Sequence, residues 1–248
     1  MKKTVSYEIE LNLISPRKWE GYLKHHSGLP GTSLNIGLAE AFARTGTIMD
    51  FKKYVSLSPS EASENTPEAF LVFCGVLGLG HYLSKYSDTR LFLKLKKLSN
   101  DPRISVRKAV VMALRIIGQK DKAQLIRDLQ GWVTGSYREQ HMLVQSLCDC
   151  KIKLSEKEAS LVLDLLDLIT VSMLDDQSLD EGFDLLKKDL STCWSIIVAM
   201  HPRKGKMLME HWIKENNYTI NEIMDANLKI LKPLEPEWAE AQLAKLSF

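Results

Sequence analysis

The chain is 248 residues long, 45% apolar and 26% charged, proportions of an ordinary folded protein that exclude disorder over its whole length. A formal net charge of +2 argues against a uniformly basic or acidic surface, and the length suffices for one sizeable core or a continuous array of roughly a dozen helices. Four cysteines, Cys74, Cys148, Cys150 and Cys193, fall within apolar helical patterns and are expected to be reduced core thiols of a cytoplasmic protein.

At the start of the chain, Lys2 and Lys3 are followed by Glu8 and Glu10 instead of an apolar run, so no secretory leader is expected. Val5, Tyr7, Ile9, Leu11 and Leu13 alternate with polar residues. That period of two predicts an extended arm over residues 1–14. Ser15 and Pro16 then open a helix with Trp19, Tyr22 and Leu23 inside, closed by His25 and His26 just before Gly28. The two histidines are adjacent and point different ways on a helix, which disfavours a metal site. The segment SGLPGTSLN, Ser27 to Asn35, is expected to be a turn, with a binding loop at the start of the next helix as the alternative. A polar interruption from Ser58 to Asn65 precedes Thr66, Pro67 and Glu68, a helix start. The helix from Glu68 to Tyr86 is apolar nearly all round, hence central. Its uncharged stretch, Ala69 to Ser84, is shorter than the roughly 20 residues of a membrane span. Gly75 and Gly78 each cost about 1 kcal/mol relative to alanine in a helix; close approach of another backbone would offset that.

From Asp88 to Gln119 the pattern resolves into a helical hairpin. Leu91, Phe92, Leu95 and Leu98 share one stripe, Asn100 to Pro102 supply a turn, and Val106, Val110, Ala113, Leu114 and Ile117 share the inner face of a second helix that Gly118 is placed to stop. At an offset of 34 residues, Leu91 meets Leu125, Phe92 Ile126, Leu95 Leu129, Leu98 Trp132, Val110 Val144 and Ala113 Leu147. A weaker copy lies upstream around Phe51, Val55, Leu57, Phe73, Val76 and Leu77. A hairpin repeated in this way has to stack on its neighbours. Asp101, Val106, Arg107, Ala113, Leu114 and Gly118 in DPRISVRKAVVMALRIIG resemble the second half of a HEAT repeat. The resemblance implies that Asp101 caps and that Arg107 reaches across to a neighbouring repeat. More distantly, the chain is similar to HEAT-like DNA glycosylases of the alkylation-repair type. That likeness would call for an aspartate beside tryptophan in a basic groove, but Asp128 precedes Trp132 by one turn, the reverse of that family's order.

Downstream, Ser155 starts a helix with Glu156 and Glu158 in its first turn, and Asp175 to Glu181 breaks it. The loop HPRKGK, His201 to Lys206, sets Arg203, Lys204 and Lys206 near the start of another helix. Helices around Ile220 to Leu231 and Pro236 to Leu246 form a C-terminal cap. Charge is unevenly spread: Lys85 to Arg127 carries twelve Lys/Arg against three acids, and Ser155 to Leu190 ten acids against three lysines. Such polarity can steer an anionic ligand or let copies associate head to tail.

No nucleophile elbow, metal-binding helix motif, phosphate loop or cysteine knuckle is present, and Cys148 and Cys150 face different ways on a helix. No catalytic residue, metal or cofactor is therefore assigned. The expected architecture is all-α, an α-α superhelix of HEAT-like hairpins forming one domain over residues 1–248, with its clearest repeats at 47–150, a cap at 219–248 and the N-terminal arm. The expected function is a scaffold, monomeric or weakly self-associating and outside the membrane, whose curved surface binds a protein partner. The alternative is a nucleic-acid-binding protein using Lys94, Lys96, Lys97, Arg103, Lys108, Arg115, Arg203, Lys204 and Lys206 as phosphate contacts.

Overall fold

A computed structural model describes residues 2–148, 153–174 and 180–246, with side chains from Ser6 onward. The fold is all-α: among the described residues there are fourteen α-helices, three short 3₁₀ helices and no strand. The chain forms two compact units, Met1–Asp121 and Lys122–Phe248.

The first unit holds α1 (Lys2–Leu13), α2 (Trp19–His25), α3 (Ile36–Thr45), α4 (Ile48–Val55), α5 (Pro67–Leu83), α6 (Thr89–Leu98) and α7 (Ile104–Lys120). The expected N-terminal arm is a helix. Its twofold alternation had concealed a second pattern, Tyr7, Leu11 and Ile14, at the three- and four-residue steps of a helix. Leu11 is buried on that stripe, its carbonyl accepts a hydrogen bond from Trp19 Nε1 at 2.9 Å, and α1 packs on α3. A helix satisfies its backbone internally, whereas an unpaired strand does not.

Helix α5 is the centre of this unit. Thr66 caps it by accepting from Ala69 N at 3.2 Å, and every residue from Ala69 to Gly80 is buried. The glycines do what their cost suggested. A Cβ on Gly75 would lie 3.0 Å from Phe51 O and one on Gly78 2.2 Å from the Phe51 ring, so α4 lies tightly along α5 in the antiparallel sense. Gly80 admits α7, since its Cβ would fall 2.6 Å from both Cα and Cβ of Ala113. Helices α6 and α7 form the predicted hairpin about Asn100 to Pro102. Gly118 does not stop α7, which runs two residues further to Lys120 with Asp121 in an extended C-cap conformation.

The second unit holds α8 (Lys122–Leu129), α9 (Tyr137–Leu147), α10 (Glu156–Thr170), α11 (Glu181–Met200), α12 (Pro202–Lys214), α13 (Tyr218–Leu231) and α14 (Pro236–Leu243). Ser136 with Glu139, and Ser155 with Glu158, form capping boxes that start α9 and α10. Successive helices from α10 to α14 pack on each other. Alternate helices also lie side by side in the same direction. Arg138 pairs with Glu181 and His141 with Asp189 from α9 to α11; Lys187 pairs with Glu222 and the Ser195 amide donates to Asn227 Oδ1 from α11 to α13. On the other layer, Lys204 meets Ser160 and Asp164 from α12 to α10, and Trp238 donates to Glu210 from α14 to α12. Five of the six pairs matched at the 34-residue offset are buried on both sides, Leu91, Leu95, Leu98, Val110 and Ala113 in the first unit and Leu125, Leu129, Trp132, Val144 and Leu147 in the second; in the sixth, Ile126 is buried but Phe92 only half-buried.

Cys74, Cys148 and Cys193 are buried free thiols. Cys150, and the break expected from Asp175 as far as residue 179, lie outside the described residues. No described helix is long and apolar enough to cross a membrane.

Candidate functional site

The nine cations nominated from the sequence separate into three kinds. Arg103 is not a phosphate contact: it is 4% exposed, and its guanidinium is consumed inside the first unit. Nε and Nη2 donate to both oxygens of Asp101 at 2.8 and 2.7 Å, while Nη1 donates to the carbonyls of Ala62 at 3.0 Å, Leu57 at 3.3 Å and Ser58 at 3.4 Å. Burial of so many donors is sustainable only because each finds an oxygen. Lys204 and Lys206 are also committed. They lie in the first turns of α12, not in a loop, since α12 starts at Pro202. Lys204 pairs with Asp164 at 2.6 Å; Lys206 pairs with Glu235 at 2.6 Å and sits over the Trp238 ring. Lys96 and Arg115 are half-buried, with contacts of their own.

The remaining four, Lys94, Lys97, Lys108 and Arg203, form no salt bridge among the described residues. Arg203 is exposed on α12, in the second unit. Lys94 and Lys97 share a face of α6 with Arg90 and with Leu93, which is 52% exposed. The spacing 90, 93, 94, 97 makes one stripe, and α6 contains no acidic residue. This stripe belongs to a unit carrying 18 Lys/Arg against 11 Asp/Glu, whereas the second unit carries 15 against 20.

The reach across segments expected of Arg107 is made by Arg103 instead. Arg107 is buried too, but it donates to the carbonyls of Asp101 and Pro102 at 2.8 and 3.0 Å, stiffening its own turn. Asp101 accepts from the Arg103 amide at 2.9 Å, one residue ahead of α7, so it shapes the turn into the helix without capping a first-turn amide. Glu64 was not singled out by its sequence position, and its partner lies 41 residues away: its carboxylate accepts from the amide and hydroxyl of Ser105 at 3.1 and 2.8 Å. It thereby caps the N-terminus of α7, where negative charge is stabilised by the helix dipole.

Glu64 also lines a cavity of about 420 Å³, together with Lys108 and the Ser27 to Asn35 segment. That segment is built as a firm loop. Gly28 holds φ at +80°, where a Cβ would strike Ser33 O at 2.3 Å, the Asn35 amide donates to Ser27 O at 2.9 Å, and the Gly31 amide donates to Asn65 Oδ1 at 3.1 Å.

The arrangement required by the glycosylase likeness is not assembled around Asp128. Trp132 is 1% exposed, so its ring is core, and Asp128 is on the surface accepting from Gln124 Nε2 at 2.7 Å. Among the described residues no three His, Cys, Asp or Glu side chains gather as a metal site. Comparison with family models, with curated proteins and with solved structures finds no match to this chain.

Proposed function

We propose that the chain is a non-enzymatic, HEAT-like scaffold of the cytoplasm that binds an acidic protein partner along the outer face of α6. The observation that carries this reading is the α6 stripe itself, in which three cations without salt bridges flank an exposed leucine on a helix lacking any acid. Cations supply attraction and orientation, and Leu93 supplies apolar area that a phosphate backbone would not use. Helical hairpins with buried repeat positions agree with a scaffold architecture. Nucleic acid is the second reading, favoured by the exposed Tyr86, just ahead of α6, as a ring on which a base can stack.

Fluorescence anisotropy separates the two. A labelled acidic peptide that forms a leucine-bearing amphipathic helix, and single- and double-stranded DNA, are titrated with the full chain over a salt series. Lys94→Glu with Lys97→Glu is expected to weaken the peptide by roughly five- to thirtyfold, the equivalent of about 0.5–1 kcal/mol per charge. Leu93→Ser should weaken the peptide several-fold and leave DNA unchanged. Tighter binding of DNA with no response to Leu93→Ser would replace the protein partner by nucleic acid; no binding of either at low salt would remove α6 as the binding face.

A further inference from the structure

The cavity beside α7 combines features that nothing in the α6 reading uses. Its volume of about 420 Å³ lies within the ~300–1,000 Å³ range of small-molecule sites. Half-buried Leu29 and Leu34 give it apolar wall, Ser33 contributes a hydroxyl, and Glu64 and Lys108 contribute opposite charges. Lys108 stands one turn beyond Ser105, the residue that anchors Glu64, so the two charges are presented from the same face of α7. They do not neutralise each other: no salt bridge joins them among the described residues. Glu64 is held in place by the Ser105 amide and hydroxyl, and the loop opposite is closed by the Asn35 to Ser27 and Gly31 to Asn65 hydrogen bonds. Such a site is shaped before its ligand arrives, which lowers the ordering cost of binding.

We propose that this cavity binds a small aliphatic zwitterion, a free amino acid or a short peptide. Lys108 receives its carboxylate, Glu64 its ammonium group, and Leu29 and Leu34 its apolar side chain. A ligand with both charges satisfies both residues, whereas a simple anion would leave its charge beside the Glu64 carboxylate.

Isothermal titration calorimetry on the full chain tests this with L-leucine, L-leucyl-L-leucine, the N-acetylated dipeptide lacking the ammonium group, and the dipeptide amide lacking the carboxylate. The dipeptide is expected to bind, and loss of either charge to weaken it about tenfold, the effect of removing one charge-assisted hydrogen bond. Lys108→Met, at an exposed position, should erase the difference between the dipeptide and its amide. Ser33→Trp should fill the cavity and abolish binding with the circular dichroism spectrum retained. Leucine binding as tightly as the dipeptide assigns the site to free amino acids; weaker binding assigns it to peptides. No heat from leucine or the dipeptide at millimolar concentration, equal binding of charged and capped forms, or indifference to Lys108→Met would overturn the proposal. Lys94→Glu with Lys97→Glu leaves this binding unchanged, so its failure is distinguishable from failure of the α6 reading.

Discussion

Replacing Arg103 with alanine leaves an aspartate carboxylate and three main-chain carbonyls in a site that was built around a guanidinium. The Asp101 side chain is 8% exposed where it meets Arg103, and removal of one partner from a buried ion pair costs about 3–5 kcal/mol. Leu57 and Ser58 are only half-buried, so water can reach their carbonyls, and the expected loss lies at the lower end, about 3 kcal/mol. Arg103→Lys restores the charge but cannot bridge both Asp101 oxygens and the carbonyls at once, so more than half of the loss should persist. Guanidinium chloride unfolding followed by far-UV circular dichroism measures each variant. In a double-mutant cycle, Arg103→Ala with Asp101→Ala should cost less than the sum of the single changes by at least about 1 kcal/mol. A loss below about 1 kcal/mol for Arg103→Ala, or additive single changes, would refute the assignment of Arg103 as the clasp between the Ser58 to Asn65 segment and α7.

Four further outcomes follow from contacts in the two units. Gly80→Ala gains helix propensity but drives a methyl into Ala113, so a net loss of about 1–3 kcal/mol is expected in thermal or denaturant unfolding; a stabilised variant would refute the close approach. Asn227 is fully buried, accepts from Ser195 N at 2.8 Å and donates to the carbonyls of Leu190 and Ile223 at 2.8 Å, so Asn227→Leu should destabilise the second unit by about 2 kcal/mol despite its apolar gain. Burial pushes the Cys74 and Cys193 thiols well above their ordinary range, so iodoacetamide at pH 8 should label both only after denaturation, as read by mass spectrometry. The Lys53 ammonium, seconded by Lys24, holds the Glu20 carboxyl below its ordinary value of 4.5. Its contribution to stability is present above that pH and is lost as the pH falls through the lower folded-state value. The stability difference between the native chain and Glu20→Gln should therefore be larger at pH 7 than at pH 3, in parallel urea titrations.

Helix positions were legible where one periodicity dominated. The inner stripes of α6 and α7, with the Thr66 and Ser155 caps, could be placed from local residues because pattern and burial there agree, whereas the leucine-rich pattern of α10 hid its inner side, with Leu165 and Ile169 buried but Leu161 and Leu168 exposed. The N-terminal helix was misread since its apolar residues satisfy two periods at once, and packing against α3 decides between them. The identity of the reaching arginine was also hidden: Arg103 and Arg107 sit one turn apart, and only the position of the Ser58 to Asn65 segment determines which meets the carbonyls of Leu57 and Ala62. Commitment of Lys204 and Lys206 depends on Asp164 and Glu235, tens of residues away in the chain. Free and paired cations look alike in a sequence, and so a charge count could not show that Lys94 and Lys97 stay out of salt bridges among the described residues while Lys204 and Lys206 enter them.

Helix α5 has a kinetic consequence. From Ala69 to Gly80 it offers no solvent-facing side, and the backbones of α4 and α7 are drawn against it through Gly75, Gly78 and Gly80. An amide in the middle of such a helix has no local opening available that does not also detach its neighbours, so deuterium can enter only when the first unit unfolds as a whole. The amides of Phe73 to Leu77 should accordingly be the last in that unit to exchange, and their exchange rate is a direct reading of its global stability. The first residues of α6, where Thr89 and Arg90 are exposed, should exchange long before them, so the helix that carries Lys94 and Lys97 can adjust without loosening the centre that supports it.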